Sequence, residues 1–462
     1  MVATSPPTPH ATHPFSLHQA ESLLDTYGSP LYVYDGDRLR QTIQHITQSI
    51  PYPRTRFHFA SVTNGNLALL QIFRKASWGL HANTPGDIYL GLQAGFHPSQ
   101  IIYSGSNLNR AEMEQLFRWD VTTLNLDSLA QLELSCETWR FLQDTETETS
   151  LSASTLTPHT PYPTPHLGLR LNLPALTGDS RIGIRLEEFP AAVSMAQQAG
   201  LQINGLHFYR GTGTNATTAF TEAIDTVLTT AKQLPDWTYL DFGGGFGYPY
   251  HHDGAAFNWN QFGAALSDRL AQLDRPIDLV IEPGRAAIAG CATLLTQVVS
   301  VKWQDDKQIV GVDTTVANLS VPSVHGGYRE IVTWEGEKEA EGRRQGAEGC
   351  GVSWGIGCGE DNQTQSSELK TQNFPTDVCG NTTYSRDYLG KNCQLPALKM
   401  GDMLAILDVG AYGYAMSSHF LHRLRPAEVL LEKGTHRLIR KRETYSILME
   451  NQLFERHSPE VL

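Results

Sequence analysis

The residues best suited to chemistry lie in two short loops, each of which follows a β-rich run. Gly243, Gly244 and Gly245 are consecutive, so backbone N–H groups there can approach an anion with no Cβ in the way. In a Glu-Pro-Gly-Arg run, Arg285 can clamp a phosphate, and Glu282 ends a strand that points to the same place. A tight turn explains the glycines equally well, and a Glu–Arg ion pair explains the second loop equally well. Together the two loops predict an anion site.

A repeated alternation of strand and helix predicts how these loops are positioned. Eight short β-rich runs alternate with amphipathic helices, and eight parallel strands close a TIM (β/α)8 barrel with a filled interior. A doubly wound open sheet is the competing arrangement. The loops after strands seven and eight of such barrels often hold phosphate, which is where the glycine and Glu-Pro-Gly-Arg runs fall. The predicted strands are 55–59, 78–82, 100–104, 120–124, 167–171, 202–208, 237–242 and 278–282.

After the barrel the pattern changes to alternating strands, which predicts an antiparallel β domain. A strand at 31–34, which follows a helix that begins at a Ser16–Gln19 capping box, is expected to return to this domain. The predicted division is 1–35 for the N-terminal segment, 36–288 for the barrel, 289–435 for the β domain and 436–462 for a closing C-terminal helix and tail.

Two segments interrupt the pattern. Residues 144–166 are polar and rich in Thr, Ser and Pro, so they are expected to be disordered. Residues 333–377 are rich in Gly, Glu and Gln, which favours a solvated insertion over a binding module.

Composition excludes several classes of partner and site. The net charge of -13 argues against nucleic acid and anionic membranes, which require clustered Lys and Arg. The Pro-, Thr- and His-rich residues 1–14 lack the regions of a secretion signal, and no long apolar run predicts a membrane span, so we expect a cytoplasmic protein with a flexible N-terminus. The 6 cysteines include no Cys-x-x-Cys pair, so reduced thiols and no metal are expected.

Taken together, the motifs resemble the diaminopimelate/ornithine decarboxylase family, and the pattern is closest to its diaminopimelate branch. These are pyridoxal-phosphate (PLP) enzymes on an alanine-racemase-like barrel, and the resemblance covers nearly the whole chain apart from the two insertions. It implies that residues 243–245 and Arg285 hold the PLP phosphate and that Glu282 pairs with the pyridine nitrogen. The Asp-x-Gly-Ala-Tyr run that starts at Asp408 is similar to a family motif and makes Tyr412 a further phosphate ligand.

The reactive half of the family's site is replaced. Residues 57–66 are similar to the family's first barrel strand, where a lysine forms the Schiff base, but the lysine's position holds Val62, which has no amine. Neither Lys75, in the following helix, nor Lys302, in the second domain, is an evident substitute. Tyr209 stands where the family has a histidine that stacks on the cofactor, and a tyrosine ring also offers a flat face.

Two further family motifs are altered. Thr383 and Tyr384 occupy the positions of a Cys-Glu pair that one subunit contributes to its partner's site, so that proton donor and a substrate-recognising carboxylate are absent. Val321 stands in the place of an arginine before proline that grips a substrate carboxylate. The resemblance also implies a homodimer with sites at the interface.

Three hypotheses are consistent with these residues. The first is a diverged member that binds PLP or another phosphorylated small molecule non-covalently, without ordinary decarboxylation. The second is an active PLP-dependent amino-acid decarboxylase that uses free PLP or a lysine from elsewhere. The third is a catalytically inactive regulator or scaffold of a true decarboxylase. A new polar pocket around Val62 would favour new chemistry, although lone histidines are more often structural. The residues that could form it are His58, Asn64, His81, Arg210 and His325.

Overall fold

The computed structural model describes residues 15–152, 162–211, 213–251, 254–334 and 372–453, with side chains described except at 145–152. The predicted flexible residues 1–14 and most of the second predicted insertion lie outside these ranges. Within the described residues, no helix has the length and apolar character needed to cross a bilayer.

The chain begins in the second domain before it enters the barrel. Helix α1 (Leu17–Tyr27) starts at the predicted capping box, in which Ser16 and Gln19 satisfy each other's backbone N–H groups. Strand β1 (Leu31–Asp35) follows, and Asp35 caps α2 (Gly36–Ser49) by accepting bonds from two backbone N–H groups. This helix leads into the barrel.

The predicted closed barrel is confirmed, with all eight strands parallel and in chain order around the ring. Its strands are β2 (Thr55–Ala60), β3 (Gly79–Ala82), β4 (Ile101–Tyr103), β5 (Thr123–Leu126), β6 (His166–Arg170), β7 (Ile203–His207), β8 (Tyr239–Asp241) and β9 (Asp278–Ile281). The helices around and after them are α3 (Leu67–Lys75), α4 (Pro85–Gln93), α5 (Arg110–Arg118), α6 (Leu129–Ser152), α7 (Pro174–Thr177), α8 (Phe189–Gln198), α9 (Thr217–Thr221), α10 (Ala223–Ala231), α11 (Trp259–Ala271) and α12 (Arg285–Ile288).

Helix α3 illustrates why these segments adopt this arrangement. Asn66 caps its first turn, and its apolar face buries Leu69, Leu70 and Phe73. The ring of Phe73 stacks on that of Phe59 in β2, with centroids 3.8 Å apart. Burying this face against the strand stabilises the β2–α3 unit and thereby fixes the loop between them.

The second domain is a nine-stranded sheet around β1. Its other strands are β10 (Ala292–Gln304), β11 (Lys307–Val312), β12 (Ile331–Thr333), β13 (Asn373–Cys379), β14 (Tyr388–Pro396), β15 (Met403–Ile406), β16 (Ala427–Glu432) and β17 (Thr435–Arg440), and α13 (Val321–Val324) lies between β11 and β12. The predicted return of the N-terminal strand is confirmed, because β1 lies between β10 and β16. The sheet is mixed rather than wholly antiparallel, since β1 pairs parallel with β16 and β11 parallel with β13. Entry from the N-terminus and a long connection before β13 allow these parallel pairings.

Three predicted segments need correction. Helix α6 continues to Ser152, since extending a helix costs less than starting one, and His166 already belongs to β6, so only 153–161 of the first insertion is undescribed. Thr333 and residues 373–377 belong to strands, which narrows the second insertion to 335–371. The closing helix predicted from residue 436 is instead strand β17. A two-residue turn with positive φ at Lys433 and Gly434 folds β17 back on β16 as a hairpin. Between β17 and residue 453, where the described part of the chain ends, the only further element is a 3-10 turn, Tyr445–Leu448.

Candidate functional site

A cavity of about 230 Å³ opens where the barrel strands end, and loops of both domains line it. Glycines, Arg285 and Tyr412 line it together with Glu282, two histidines, Arg170 and Val62. The loops meet because the carboxyl ends of parallel strands converge on one face of a barrel. This is the face at which the sequence predicts the anion site.

The glycine loop after β8 can present its backbone to a ligand. Gly244 and Gly245 line the cavity, and among the described residues no acceptor is found for either N–H. A Cβ on Gly244 would lie 2.6 Å from the carbonyl oxygen of Glu282, and one on Gly245 would lie 2.3 Å from that of Gly211. Gly245 also has a φ of +93°, which favours glycine. There is therefore no room for a side chain at either position, and the backbone itself forms this part of the cavity wall.

Gly243 has a different place from its two neighbours. Its N–H donates to Oδ1 of Asp241 at 3.0 Å, and its carbonyl accepts from the N–H of Glu282 at 2.8 Å. It does not line the cavity, and a Cβ there would lie 2.0 Å from the carbonyl oxygen of Phe208. Gly243 therefore holds the glycine loop against the neighbouring strands.

Arg285 and Tyr412 complete this end of the cavity. The guanidinium carbon of Arg285 lies 5.2 Å from the ring centroid of Tyr412 and 5.9 Å from that of Tyr250. Tyr412 has a φ of +60° and donates its backbone N–H to the carbonyl oxygen of Thr63 at 2.9 Å. A permanent cation, glycine N–H groups and a phenol thus converge, a set suited to the oxygens of a phosphate.

Glu282, which lines the cavity, and Asp241 form a buried pair of carboxyl groups. Burial raises the pKa of Glu282 to about 7, although its hydrogen bond to Asp241 and the charge of Arg170 act in the other direction. Burial also raises the pKa of Asp241 well above its usual range, and the charge of Glu282 adds to this rise. Asp241 accepts from Asn125 at 2.8 Å and from the Gly243 backbone. Burial therefore favours the protonated forms of both carboxyl groups.

Two buried histidines flank Glu282. Nε2 of His81 lies 3.5 Å and Nε2 of His207 lies 3.4 Å from Oε2 of Glu282. Burial lowers the pKa of His207 to about 4 and that of His81 well below its usual value, so both rings are neutral at pH 7. Among the described residues, the ring nitrogens of both histidines and Oε1 of Glu282 have no hydrogen-bond partner.

Buried polar atoms usually have a hydrogen-bond partner, so this part of the cavity suits a ligand with a polar edge. Ligand atoms of His207, Asp241 and Glu282 lie within 4.8 Å of one another, so these three could also hold a metal ion.

Val62 stands in a 3-10 turn, Ser61–Thr63, that the neighbouring strands fix in place. Ser61 donates to the carbonyl oxygen of His81 at 3.0 Å, and Thr63 donates its hydroxyl to that of Ala60 at 2.8 Å. The Val62 side chain lines the cavity and is 43% exposed. Of the described residues that line the cavity, none is a lysine.

Tyr209 and Arg170 form another wall. The guanidinium carbon of Arg170 lies 5.1 Å from the ring centroid of Tyr209, and both side chains line the cavity. A flat ring backed by a cation suits an aromatic ligand. Arg170 was not among the residues that the sequence singled out, although its place at the end of β6 was a usable signal.

Other candidates lie away from this cavity. Thr383 lines a different cavity in the β domain, and the Tyr384 ring packs edge-on against Phe420 at 5.4 Å. Val321 is buried in α13. Of the five residues proposed for a polar pocket around Val62, only His81 lines the barrel cavity. His58 faces a separate cavity of about 170 Å³, Asn64 is buried, and neither Arg210 nor His325 reaches the site.

The fold and the site define a class: a parallel eight-stranded barrel with a phosphate-type cradle and a buried acid at its C-terminal face, completed by a β domain. The chain belongs to the family of pyridoxal-dependent decarboxylases, whose pyridoxal-binding domain matches residues 37–289. This confirms the resemblance to the diaminopimelate/ornithine decarboxylases. PLP is therefore the cofactor that the family implies, and the donor groups described above fit it.

Relatives and solved structures agree over nearly the full chain. The diaminopimelate decarboxylase of Methanothermobacter thermautotrophicus is 30% identical over 452 residues, which is 94% of each chain. The crystal structure of diaminopimelate decarboxylase from Helicobacter pylori complexed with L-lysine has a TM-score of 0.74 at 25% identity and covers 93% of this chain and 98% of that one. The enzyme from M. jannaschii in complex with L-lysine has a TM-score of 0.78 at 21% identity over 94% of each chain, which shows the shared fold.

Proposed function

We propose that this protein binds PLP, or another phosphorylated small molecule, non-covalently in the barrel cavity and does not perform ordinary amino-acid decarboxylation. The observation that carries the proposal is the composition of the cavity wall. It combines Arg285, Tyr412 and the glycine loop with the buried Glu282, while Val62 stands in the place that the resemblance gives to the lysine. The cradle is thus kept and the amine is missing.

The chain's own residues account for each part of the binding. Arg285 and the N–H groups of Gly244 and Gly245 would hold the phosphate, because charge-assisted and backbone donors suit its oxygens. Glu282 would accept a hydrogen bond from a pyridine N–H at Oε1, for which the described part of the chain offers no partner. Tyr209 would face the ring plane. When bound, PLP supplies an electron sink for bonds at the α-carbon of an amino acid.

The state of the buried acid pair supports this use. Burial disfavours the ionised forms of Asp241 and Glu282, and the two neutral histidines beside Glu282 offer no positive charge that would stabilise its carboxylate. Glu282 can therefore share its proton with a ring nitrogen, and Asp241 stays fixed by Asn125. Val62 contributes only an apolar surface, so a bound aldehyde meets no amine at this point of the wall.

One observation favours the alternative of an active PLP-dependent decarboxylase. The chain matches a diaminopimelate decarboxylase at 30% identity over 94% of its length, so selection has retained the whole architecture. An active enzyme would use free PLP or a lysine from outside the cavity wall. Its substrate would be a small amino acid, as the relatives' names indicate. Retention of the cradle disfavours the third possibility, a scaffold without a ligand.

The test is a visible absorption spectrum of the purified protein after PLP has been added and excess removed, followed by borohydride reduction and intact mass. We expect retained PLP with a free-aldehyde spectrum and no increase in protein mass. A reduced adduct would contradict the proposal, and peptide mapping would then identify the lysine. If no PLP is retained, the proposal fails for PLP and the other phosphorylated ligands are tested by displacement.

Val62→Lys provides a matched gain-of-function test. Because Val62 is 43% exposed and lines the cavity, a lysine there costs little stability and can reach an aldehyde in the cavity. We expect Val62→Lys to acquire a borohydride-fixed PLP adduct, while Val62→Gln, of similar length but without an amine, does not. If Val62→Lys retained PLP without an adduct, the turn would not be the family's lysine position.

We also propose a homodimer, as the resemblance implies. Exposed apolar side chains lie beside Thr383 and Tyr384. Phe420, 46% exposed, contacts the Tyr384 ring, and Leu421, 46% exposed, lines a cavity with Thr383. Val324, 55% exposed, ends α13, which the loop after Tyr384 contacts through Ser323 and Arg386. Exposed apolar groups on neighbouring loops suit a protein interface. Sedimentation velocity should give a dimer, and replacing Phe420 and Leu421 by Ser should shift it towards monomer; a wild-type monomer at micromolar concentration would refute this.

A further inference from the structure

A second cavity, of about 430 Å³, lies in the β domain, and its lining is cationic. Arg329, Arg386 and Lys391 line it together with Ser323 and Tyr388, and no carboxylate is among the described residues that form its wall. The whole chain carries a net charge of -13, so a cavity lined by three cationic side chains differs in sign from the charge of the protein as a whole. Cationic walls around a hollow concentrate anions there. We call this hollow the β-domain cavity.

Arg329 forms the buried part of the wall. This residue is only 3% exposed, and its buried Nε has no hydrogen-bond partner in the ranges that the structure describes. Nη1 donates to the carbonyl oxygen of Tyr328 at 2.6 Å, and the guanidinium carbon lies 3.8 Å from the ring centroid of Tyr250. These contacts are to neutral groups, and a buried charge is costly unless an opposite charge pairs with it.

Burial lowers the pKa of Arg329, which shows that its surroundings do not fully compensate its charge. Tyr250 acts in the opposite direction, the charge of Arg285 adds to the lowering, and Asp408 offsets part of it. Asp408 is itself engaged, since it accepts from the Tyr248 hydroxyl at 2.8 Å. An anion beside Arg329 would supply the missing counter-charge.

Arg386 and Lys391 stand at the exposed side of the same cavity. Both residues are exposed, and Nζ of Lys391 lies 3.9 Å from the ring centroid of Tyr388, which orients the ammonium along the cavity wall. The backbone carbonyl of Arg386 accepts from the Ser323 hydroxyl, which ties this loop to α13. The cations are therefore positioned by neutral contacts and keep their charges available.

We propose that the β-domain cavity is an anion site that binds the carboxylate or phosphate group of a small molecule. Arg329 pairs with the anion at the buried end, and Arg386 and Lys391 pair with it at the mouth. The site is separate from the barrel cavity, which none of these three side chains lines, although Arg329 and Arg285 both face the ring of Tyr250. The site does not depend on the proposed binding of PLP.

Isothermal titration with inorganic phosphate and, separately, with glutarate tests the site in protein already saturated with PLP. The main variant is the double substitution Arg386→Gln and Lys391→Gln, which removes two exposed charges and should fold normally. Lys433→Gln is the matched control, because it removes an exposed charge of the same domain away from the cavity. Arg329→Gln is a second variant, with its fold checked by circular dichroism.

We expect the wild-type protein and Lys433→Gln to bind at least one anion equally well and the double variant to bind it about tenfold more weakly, the loss typical of charge-assisted bonds. Binding of glutarate alone identifies a carboxylate site, and binding of phosphate alone identifies a phosphate site. Equal affinity in the double variant, or no binding to the wild-type protein, overturns the proposal. PLP retention by the double variant should match the wild type, so failure here is distinct from failure of PLP binding.

Discussion

Replacing the buried Glu282 by Gln should change how the stability of the protein depends on pH. In the native protein burial raises the pKa of this carboxyl from 4.5 to about 7. Between these values the folded chain keeps the proton and the unfolded chain releases it. Wild-type stability therefore has a component that is complete below pH 4.5 and is lost as the pH rises towards 7. Gln carries no proton to lose.

The size of this effect follows from the pKa shift. A change of one unit corresponds to about 1.4 kcal/mol, so the rise from 4.5 to about 7 amounts to about 3 kcal/mol. Removing Glu282 also removes a charge that raises the pKa of Asp241, which adds to the effect in the same direction. His207, with its pKa lowered to about 4, stabilises the fold increasingly as the pH rises to about 6.5, but it does so in both proteins. The difference between the two proteins isolates the acid pair.

The assay is urea unfolding, followed by circular dichroism at intervals from pH 4.5 to pH 8, of protein freed from small ligands by gel filtration. The free energy of unfolding of Glu282→Gln should gain about 3 kcal/mol relative to wild type across this range, whatever the offset at pH 4.5. Glu133→Gln, on the exposed face of α6, removes one carboxylate without this gain. Parallel profiles for wild type and Glu282→Gln would refute the buried-acid explanation.

Two further substitutions test packing at the site and between the domains. Gly245→Ala should destabilise the protein and abolish PLP retention, because its Cβ would lie 2.3 Å from the Gly211 carbonyl oxygen. Gly200→Ala is the control, because Gly200 has a similarly positive φ of +73° but an added Cβ would meet nothing within 4 Å. This variant should lose only about 1 kcal/mol of stability and still retain PLP. Equal decreases in melting temperature for the two variants would contradict the steric clash at Gly245. Glu428→Gln should lower the free energy of unfolding by about 2 kcal/mol, because it removes the charge of a buried carboxylate that accepts a hydrogen bond from the partly exposed Arg440. An unchanged urea midpoint would show that the pair contributes nothing.

The sequence predicted the barrel well because each strand is a local pattern with a fixed period. The order of the eight strands also follows from local rules, since parallel neighbours in a barrel are consecutive in the chain. The parallel pairing of β1 with β16 joins residues almost 400 positions apart, and no local pattern encodes such a contact. The hairpin turn at Lys433 and Gly434 could have been predicted from the sequence, but the charged residues around it are also compatible with a helix.

At the site, residue type and position after a strand were sufficient to find the cradle. Glu282, Arg285 and Tyr412 line one cavity, although the first two come from a loop of the barrel and Tyr412 comes from a loop of the β domain. The two histidines of the cavity and Arg170 were harder to predict from the sequence. Their place in the cavity wall depends on which side chains of neighbouring strands lie close to them in the folded barrel. Gly243 shows the opposite case, in which a motif residue holds the loop and does not face the ligand.

The place of β1 has a consequence for how the molecule is made. This strand is synthesised before the barrel, yet both of its partners, β10 and β16, are synthesised after the entire barrel. Four side chains of β1 are buried in the folded protein, namely those of Leu31, Tyr32, Val33 and Tyr34. The strand has no neighbouring strand to pair with while the roughly 250 residues between β1 and β10 are synthesised. Until the last strands arrive, the nascent chain displays an apolar edge that is open to other chains. The barrel can close once β9 has been synthesised, but the loop that carries Tyr412 follows β15 and docks on Thr63 only later, so the cavity is completed after the barrel.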